Sequence, residues 1–156
     1  MELSQQEANT LIAIEKYLTT PSKGKIPPLG KKQSFPIHDK NKEKYKTIMY
    51  RGNRNPKKVS YTLLYQGRIV LIRVDLNYNS PHQTTVDGEL MPANTPHIHF
   101  YDEEHNDKIA HPLPSKFSHT DDIVQTLYDF LSYSNVINLN DLRICVQGGL
   151  FDEESD

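Results

Sequence analysis

Two histidines stand two residues apart in the stretch Thr95-Pro96-His97-Ile98-His99-Phe100-Tyr101. The alternation of types reads as a short strand, on which successive side chains point to opposite faces. His97, His99 and Tyr101 then share one face, predicted to line a concave, solvent-facing surface. Ile98 and Phe100 share a buried face. Imidazoles titrate near neutral pH, so such a pair could divide acid and base roles, or coordinate one metal ion. The same alternation also describes the polar outer face of an edge strand.

Six of the seven histidines lie between His82 and His119, and three kinds of chemistry compete for them. A structural zinc site usually takes four ligands, cysteines among them. Cys145 is the sole cysteine. A catalytic metal site needs three ligands, such as His97, His99 and one of His82, His105 or Asp102. No helical H-x-x-x-H or paired-carboxylate motif supports it, so the expectation is no metal and no cofactor. Metal-free cleavage of RNA needs a base for the 2′-hydroxyl, an acid for the leaving oxygen and a cation for the phosphorane. The candidate catalytic set for that reaction is His97, His99, Tyr101, Arg73, Asp75 and Lys108. The candidate substrate-binding set is His82, Asp87, Arg51, Arg54, Lys57 and Lys58. The third possibility is a non-enzymatic binder that covers the surface of a nucleic-acid-handling protein.

Charge is unevenly spread. Fourteen of the eighteen Lys and Arg residues lie between Lys23 and Arg73, and fifteen of the twenty acids lie from Asp75 onward. A basic first half suits a polyanion such as RNA. The lone cysteine excludes an internal disulfide. With no apolar run long enough to span a bilayer and no basic-then-apolar leader, a cytoplasmic site of action is expected.

The elements that must position these residues are legible in part. Ser4-Gln5-Gln6-Glu7 is a capping box. Ala8, Leu11, Ile12, Ile14 and Leu18 form an apolar stripe, predicting a helix over 5–19 with a structural or homodimer role. Pro21, Gly24, Pro27, Pro28 and Gly30 mark 20–34 as a loop. The sheet is expected over 35–111, with strands near 35–39, 44–52, 58–65 and 68–76. A long loop, 77–95, carries His82 and Asp87-Gly88. Ile69-Val70-Leu71-Ile72 reads as a central strand buried on both faces. Strict alternation would place Arg73 and Asp75 on the same face as Ile69 and Leu71. Lys108 to His111 could form a short return strand. Ile123, Val124, Leu127, Tyr128, Phe130 and Leu131 predict a second helix over 121–133. Residues 141–147 could be a last strand or a short helix, and 152–156 form an acidic tail.

Together these features predict one α+β domain over residues 1–156. It would have a mostly antiparallel sheet of four to six strands, with the two amphipathic helices packed on one face. From Gly67 onward the chain resembles a family of short uncharacterised bacterial and prophage-associated proteins. Leu71 to Leu76, Pro96-His97-Ile98-His99-Phe100-Tyr101, Pro112-Leu113-Pro114 and Asp129 to Tyr133 carry that resemblance, and the Leu3–Ala8 opening fits it too. A looser resemblance links Arg73, Asp75, Asp87-Gly88 and Pro96-His97-x-His99, in that order, to small ribonuclease toxins of toxin–antitoxin pairs. It implies a toxin-like or defence-related ribonuclease with a cognate antitoxin. The alternative is a phage protein that binds and blocks a bacterial nucleic-acid or defence enzyme.

Overall fold

The computed structural model describes residues 3–20, 24–78 and 88–145. His82, Asp87 and the 152–156 tail lie outside them. Helix α1 spans Gln5–Ala13, followed by strands β1 (Lys16–Leu18), β2 (Gly24–Lys25), β3 (Lys32–Asp39), β4 (Lys44–Arg51), β5 (Val59–Tyr65), β6 (Ile69–Leu76), β7 (His97–Phe100) and β8 (Ala110–Pro112). Helix α2 spans Ile123–Tyr133, and β9 is Ile144–Cys145. The main sheet has seven strands in the order β1-β3-β4-β5-β6-β7-β8, and every neighbouring pair is antiparallel. The α+β class and the antiparallel sheet agree with the sequence reading, but the strand count exceeds the expected four to six. The strand beyond six is β1, a short one taken from the segment read as helix. β2 and β9 form a separate parallel pair.

The first helix is shorter than 5–19. Its capping box is present, with Glu7 N donating to Ser4 Oγ and Ser4 N donating to Glu7 Oε1. At Ile14 the backbone turns extended, and Lys16–Leu18 instead pair with Asp39–Ile37. Leu18 therefore buries its side chain from a strand, where the stripe suggested a helix. In α2, Asp122 is the N-cap and accepts from Val124 N and Gln125 N. It was expected one position inside the helix.

Register decides what shares a face. Directly opposed residues of neighbouring strands point the same way. Tyr61, Val74 and Ile98 are opposed across β5, β6 and β7, and this face meets α2. Tyr61 stacks on Phe130, with centroids 5.9 Å apart, and its hydroxyl donates to the Ile123 carbonyl at 2.8 Å. On the other face Ser60 opposes Asp75, which opposes His97, while Thr62 opposes Arg73, which opposes His99.

One irregularity breaks the alternation. Leu63 pairs with Ile72 but Leu64 pairs with Val70, which leaves Leu71 as an extra residue. This β-bulge shifts the phase of β6. Ile69, opposed to Tyr65, therefore lies with the α2-side residues. Arg73 and Asp75 lie on the opposite face, contrary to the alternation read from sequence.

Candidate functional site

The end of β6 and the whole of β7 build one charged cluster on the face away from α2. Asp75 and His97 are direct cross-strand partners, Arg73 and His99 are the next pair, and Asp75 reaches His99 diagonally. Both imidazole Nε2 atoms approach the same carboxylate oxygen: His97 at 3.3 Å and His99 at 3.4 Å from Asp75 Oδ2. Arg73 Nε donates to that oxygen at 3.2 Å, and its Nη1 donates to Asp107 Oδ2. The His97 and His99 rings meet edge to face with centroids 4.9 Å apart.

The cluster is buried. His99 is 0% exposed, Asp75 3% and His97 4%. The predicted solvent-facing concave surface is therefore a covered one. Alternation gave the shared face of the two histidines correctly, but it carries no information about what covers that face. Tyr78 contributes to the cover. Its phenol interacts with Ser60 and feels the charges of Asp75 and Arg73, and burial pushes its pKa up. Lys58 Nζ sits 4.6 Å from the Tyr78 ring centroid. Arg73, 26% exposed at its side chain, is the part of the cluster that solvent reaches.

Electrostatics follow from this packing. Burial pushes the Asp75 carboxyl up, but the two imidazoles and the Arg73 guanidinium outweigh it and hold the group well below the usual carboxylate range. Burial lowers the His99 pKa against the pull of Asp75. The imidazole–carboxylate distances exceed the 2.7–2.9 Å typical of a charge-assisted bond. His97 Nε2 and both ring nitrogens of His99 lack a geometrically sound hydrogen bond. These contacts are close approaches of facing groups rather than formed bonds. His97 Nδ1 stands 2.7 Å from the Thr95 carbonyl. A carbonyl only accepts, so Nδ1 carries the proton and Nε2 is the atom aimed at Asp75.

The remaining sequence candidates scatter. Tyr101 is buried, and its hydroxyl donates to the Leu3 carbonyl at 2.6 Å, tying the end of β7 to the start of α1. The Lys108 side chain is exposed beyond the 102–106 turn. Arg51 lies on the α2 side of the sheet, opposed to Val59, and donates to the Pro27 carbonyl at 3.2 Å. Arg54 and Lys57 are exposed after β4. Of that basic group, Lys58 alone comes near the cluster, through Tyr78.

The histidine cluster in the sequence also disperses. His105 pairs with Asp102 at 3.1 Å in an exposed turn. His111 packs on Phe100, and His119 lies beside Ser118 ahead of α2. Among the described residues only His97 and His99 share a centre. The third group at that centre is Asp75, not Asp102 or His105.

Sequence reasoning missed Asp107, which lies 34 residues from Arg73 and is reached only through the β7–β8 connection. It also missed Lys32, Lys44 and Lys46. Register places these on the same sheet face as Arg73, because Lys32 opposes Tyr50 and Lys46 opposes Leu64. Alternation along β4 already put Lys44 and Lys46 in phase with Tyr50. Only strand order shows that this face is the one holding Asp75.

Fold and centre together define an α+β protein with two histidines and one carboxylate buried on an antiparallel sheet. Residues 3–136 match a family of unknown function (DUF6978), and the chain belongs to that family. No curated protein and no solved structure matches it.

Proposed function

We propose that the protein cleaves RNA, with Asp75, His97, His99 and Arg73 as its centre. The observation that carries this reading is the convergence of both imidazoles on one Asp75 oxygen beside Arg73. A buried set of poorly bonded polar groups costs stability, which favours a chemical role over a packing one. The surface around it suits a polyanion. Lys32 and Lys44 are exposed and Lys46 and Arg73 half-exposed on one sheet face, with Tyr50 among them. A phosphate lying along that face meets Arg73 first, and the guanidinium stabilises the charge that develops on phosphorus. The 2′-hydroxyl then attacks, losing its proton to the centre, and the 5′-oxygen leaves with a proton. A toxin-like or defence role in the cytoplasm fits such an activity.

The burial of His97 and His99 favours a second reading, in which the cluster ties β6 to β7 and the basic sheet face binds a nucleic-acid-handling protein without turnover. One experiment separates the two. The purified chain is incubated with total cellular RNA and with individual tRNAs, beside His97→Gln and His99→Gln variants whose folding is checked by circular dichroism. The ribonuclease reading expects cleavage that falls about 10²–10⁴-fold in either variant, the usual worth of one proton-transfer group. RNA left intact by the folded wild type in every lane would sink it. RNA affinity should also fall steeply between low and moderate salt, as counterion release requires.

A further inference from the structure

We propose that Asp75, His97 and His99 bind one zinc-type divalent ion in tetrahedral geometry, with the fourth position left to water or a substrate oxygen. The inference uses the residues of the RNA reading but stands on donor geometry alone. It departs from the sequence expectation of no metal.

Four observations carry it. First, each of the three residues offers a ligand atom within 4.8 Å of the other two, and all three are buried. Second, with His97 Nδ1 bonded to the Thr95 carbonyl, the neutral ring has its lone pair on Nε2, facing a carboxylate oxygen 3.3 Å away. Two lone pairs so placed repel unless a cation lies between them. A backbone carbonyl on the far nitrogen is also how ligating histidines are usually oriented.

Third, the spacing has the right size. Zn–N and Zn–O distances of about 2.0–2.2 Å make the edges of a tetrahedral site roughly 3.3–3.5 Å. Octahedral Mg²⁺, at about 2.0–2.1 Å, would bring adjacent ligands to roughly 2.8–3.0 Å. The two His–Asp edges are 3.3 and 3.4 Å, and the His97–His99 edge lies within 4.8 Å. Fourth, charge is unbalanced without a cation. Asp107 neutralises Arg73, and the Asp75 carboxylate is left against two imidazoles with His99 nitrogens unpartnered. Arg73 Nε, on the same Oδ2, would orient that carboxylate from outside the coordination sphere. An ion here would lower the pKa of a bound water toward neutrality and present it beside Arg73.

The test uses the full chain, dialysed against chelator and then titrated with zinc chloride or cobalt chloride, with no RNA present. The expected result is one ion per chain, a raised melting temperature and the intense visible absorption of four-coordinate Co²⁺. The ¹⁵N resonances of two imidazoles, those lost in His97→Gln and His99→Gln, should shift on zinc binding. Asp75→Asn should weaken binding more than about 100-fold, beyond the 10–100-fold usual for an outer-sphere partner. His105→Asn should leave binding unchanged. If a site variant fails to fold, the wild-type cobalt spectrum and imidazole shifts decide.

A folded wild type that takes up neither ion would show that the cation between His97 and Asp75 is a proton, and would overturn the proposal. Undiminished binding in a folded Asp75→Asn would place the ion elsewhere and overturn it too. A weak six-coordinate cobalt spectrum would overturn the tetrahedral geometry. A zinc-loaded protein that leaves RNA intact would sink the RNA reading alone.

Discussion

Lys16 shows what single residues cost and contribute in this fold. Its ammonium is fully buried and donates to the carbonyls of Ile12 at 2.8 Å, Ile14 at 3.0 Å and Ser134 at 2.9 Å. It thereby caps the ends of both helices with a positive charge, where the helix dipole favours one. Burial lowers its pKa to about 8. Lys16→Met would keep the volume and take this donor from one buried and two part-buried carbonyls. The expected loss is roughly 1–3 kcal/mol, the usual cost of leaving a buried acceptor without its partner, as measured by urea denaturation. Tyr65 sets an alkaline limit. Its hydroxyl donates to Glu43 at 2.7 Å, which together with burial pushes its pKa up to about 12. A folded pKa above the unfolded value of about 10 gives stability that is complete below pH 10 and lost as pH rises toward 12. Tyr65→Phe should therefore flatten the fall of melting temperature between those pH values. An unchanged slope would mean that the Glu43 bond contributes nothing.

At the scale of elements, α2 was the most legible part of the chain, because apolar residues recur at helical spacing and Leu127, Phe130 and Leu131 are buried on one face. Leu127 and Leu131 are both 0% exposed, so each Leu→Ala change should cost roughly 2–5 kcal/mol. Denaturation losses below about 0.5 kcal/mol, the usual range of surface changes, would contradict this packing. β1 was illegible because Ile14 and Leu18 satisfy a helical stripe as well as a strand, and only pairing with Asp39–Ile37 decides between them. For the centre, alternation was enough to put His97 beside His99. It could not show that Asp75 stands opposite His97, since that depends on two strands separated by twenty residues finding one register. The bulge at Leu71 left no composition signal, so the face of Arg73 and Asp75 relative to Ile69 was misread.

The whole molecule has to protect the two edges of a seven-stranded sheet. Open edge strands invite pairing with other chains. At one edge the segment 135–138 lies along β1. Lys16 N donates to the Asn135 carbonyl, Ile137 N donates to the Lys16 carbonyl, and the Asn138 amide bonds both the N–H and the carbonyl of Leu18. At the other edge β8 is three residues long and ends at Pro112, which has no N–H to offer. Asn138→Ala should thus raise the tendency to self-associate more than it lowers stability, as light scattering at constant temperature would show. The extra residue at Leu71 has a consequence of another kind. β6 is two rulers spliced half a step apart, and the splice is what lets an oily half and a charged half belong to one rod. Deleting Leu71 would shorten the rod and close the splice. Val70 and Ile72 would become neighbours opposite Leu64 and Leu63, and Arg73 and Asp75 would keep their face. In this chain the extra residue adds length without adding a pair, so its deletion should cost little more than the loss of one buried leucine side chain. Deleting Val74 instead would turn Asp75 toward Phe130, and melting temperatures of the two deletions should differ accordingly.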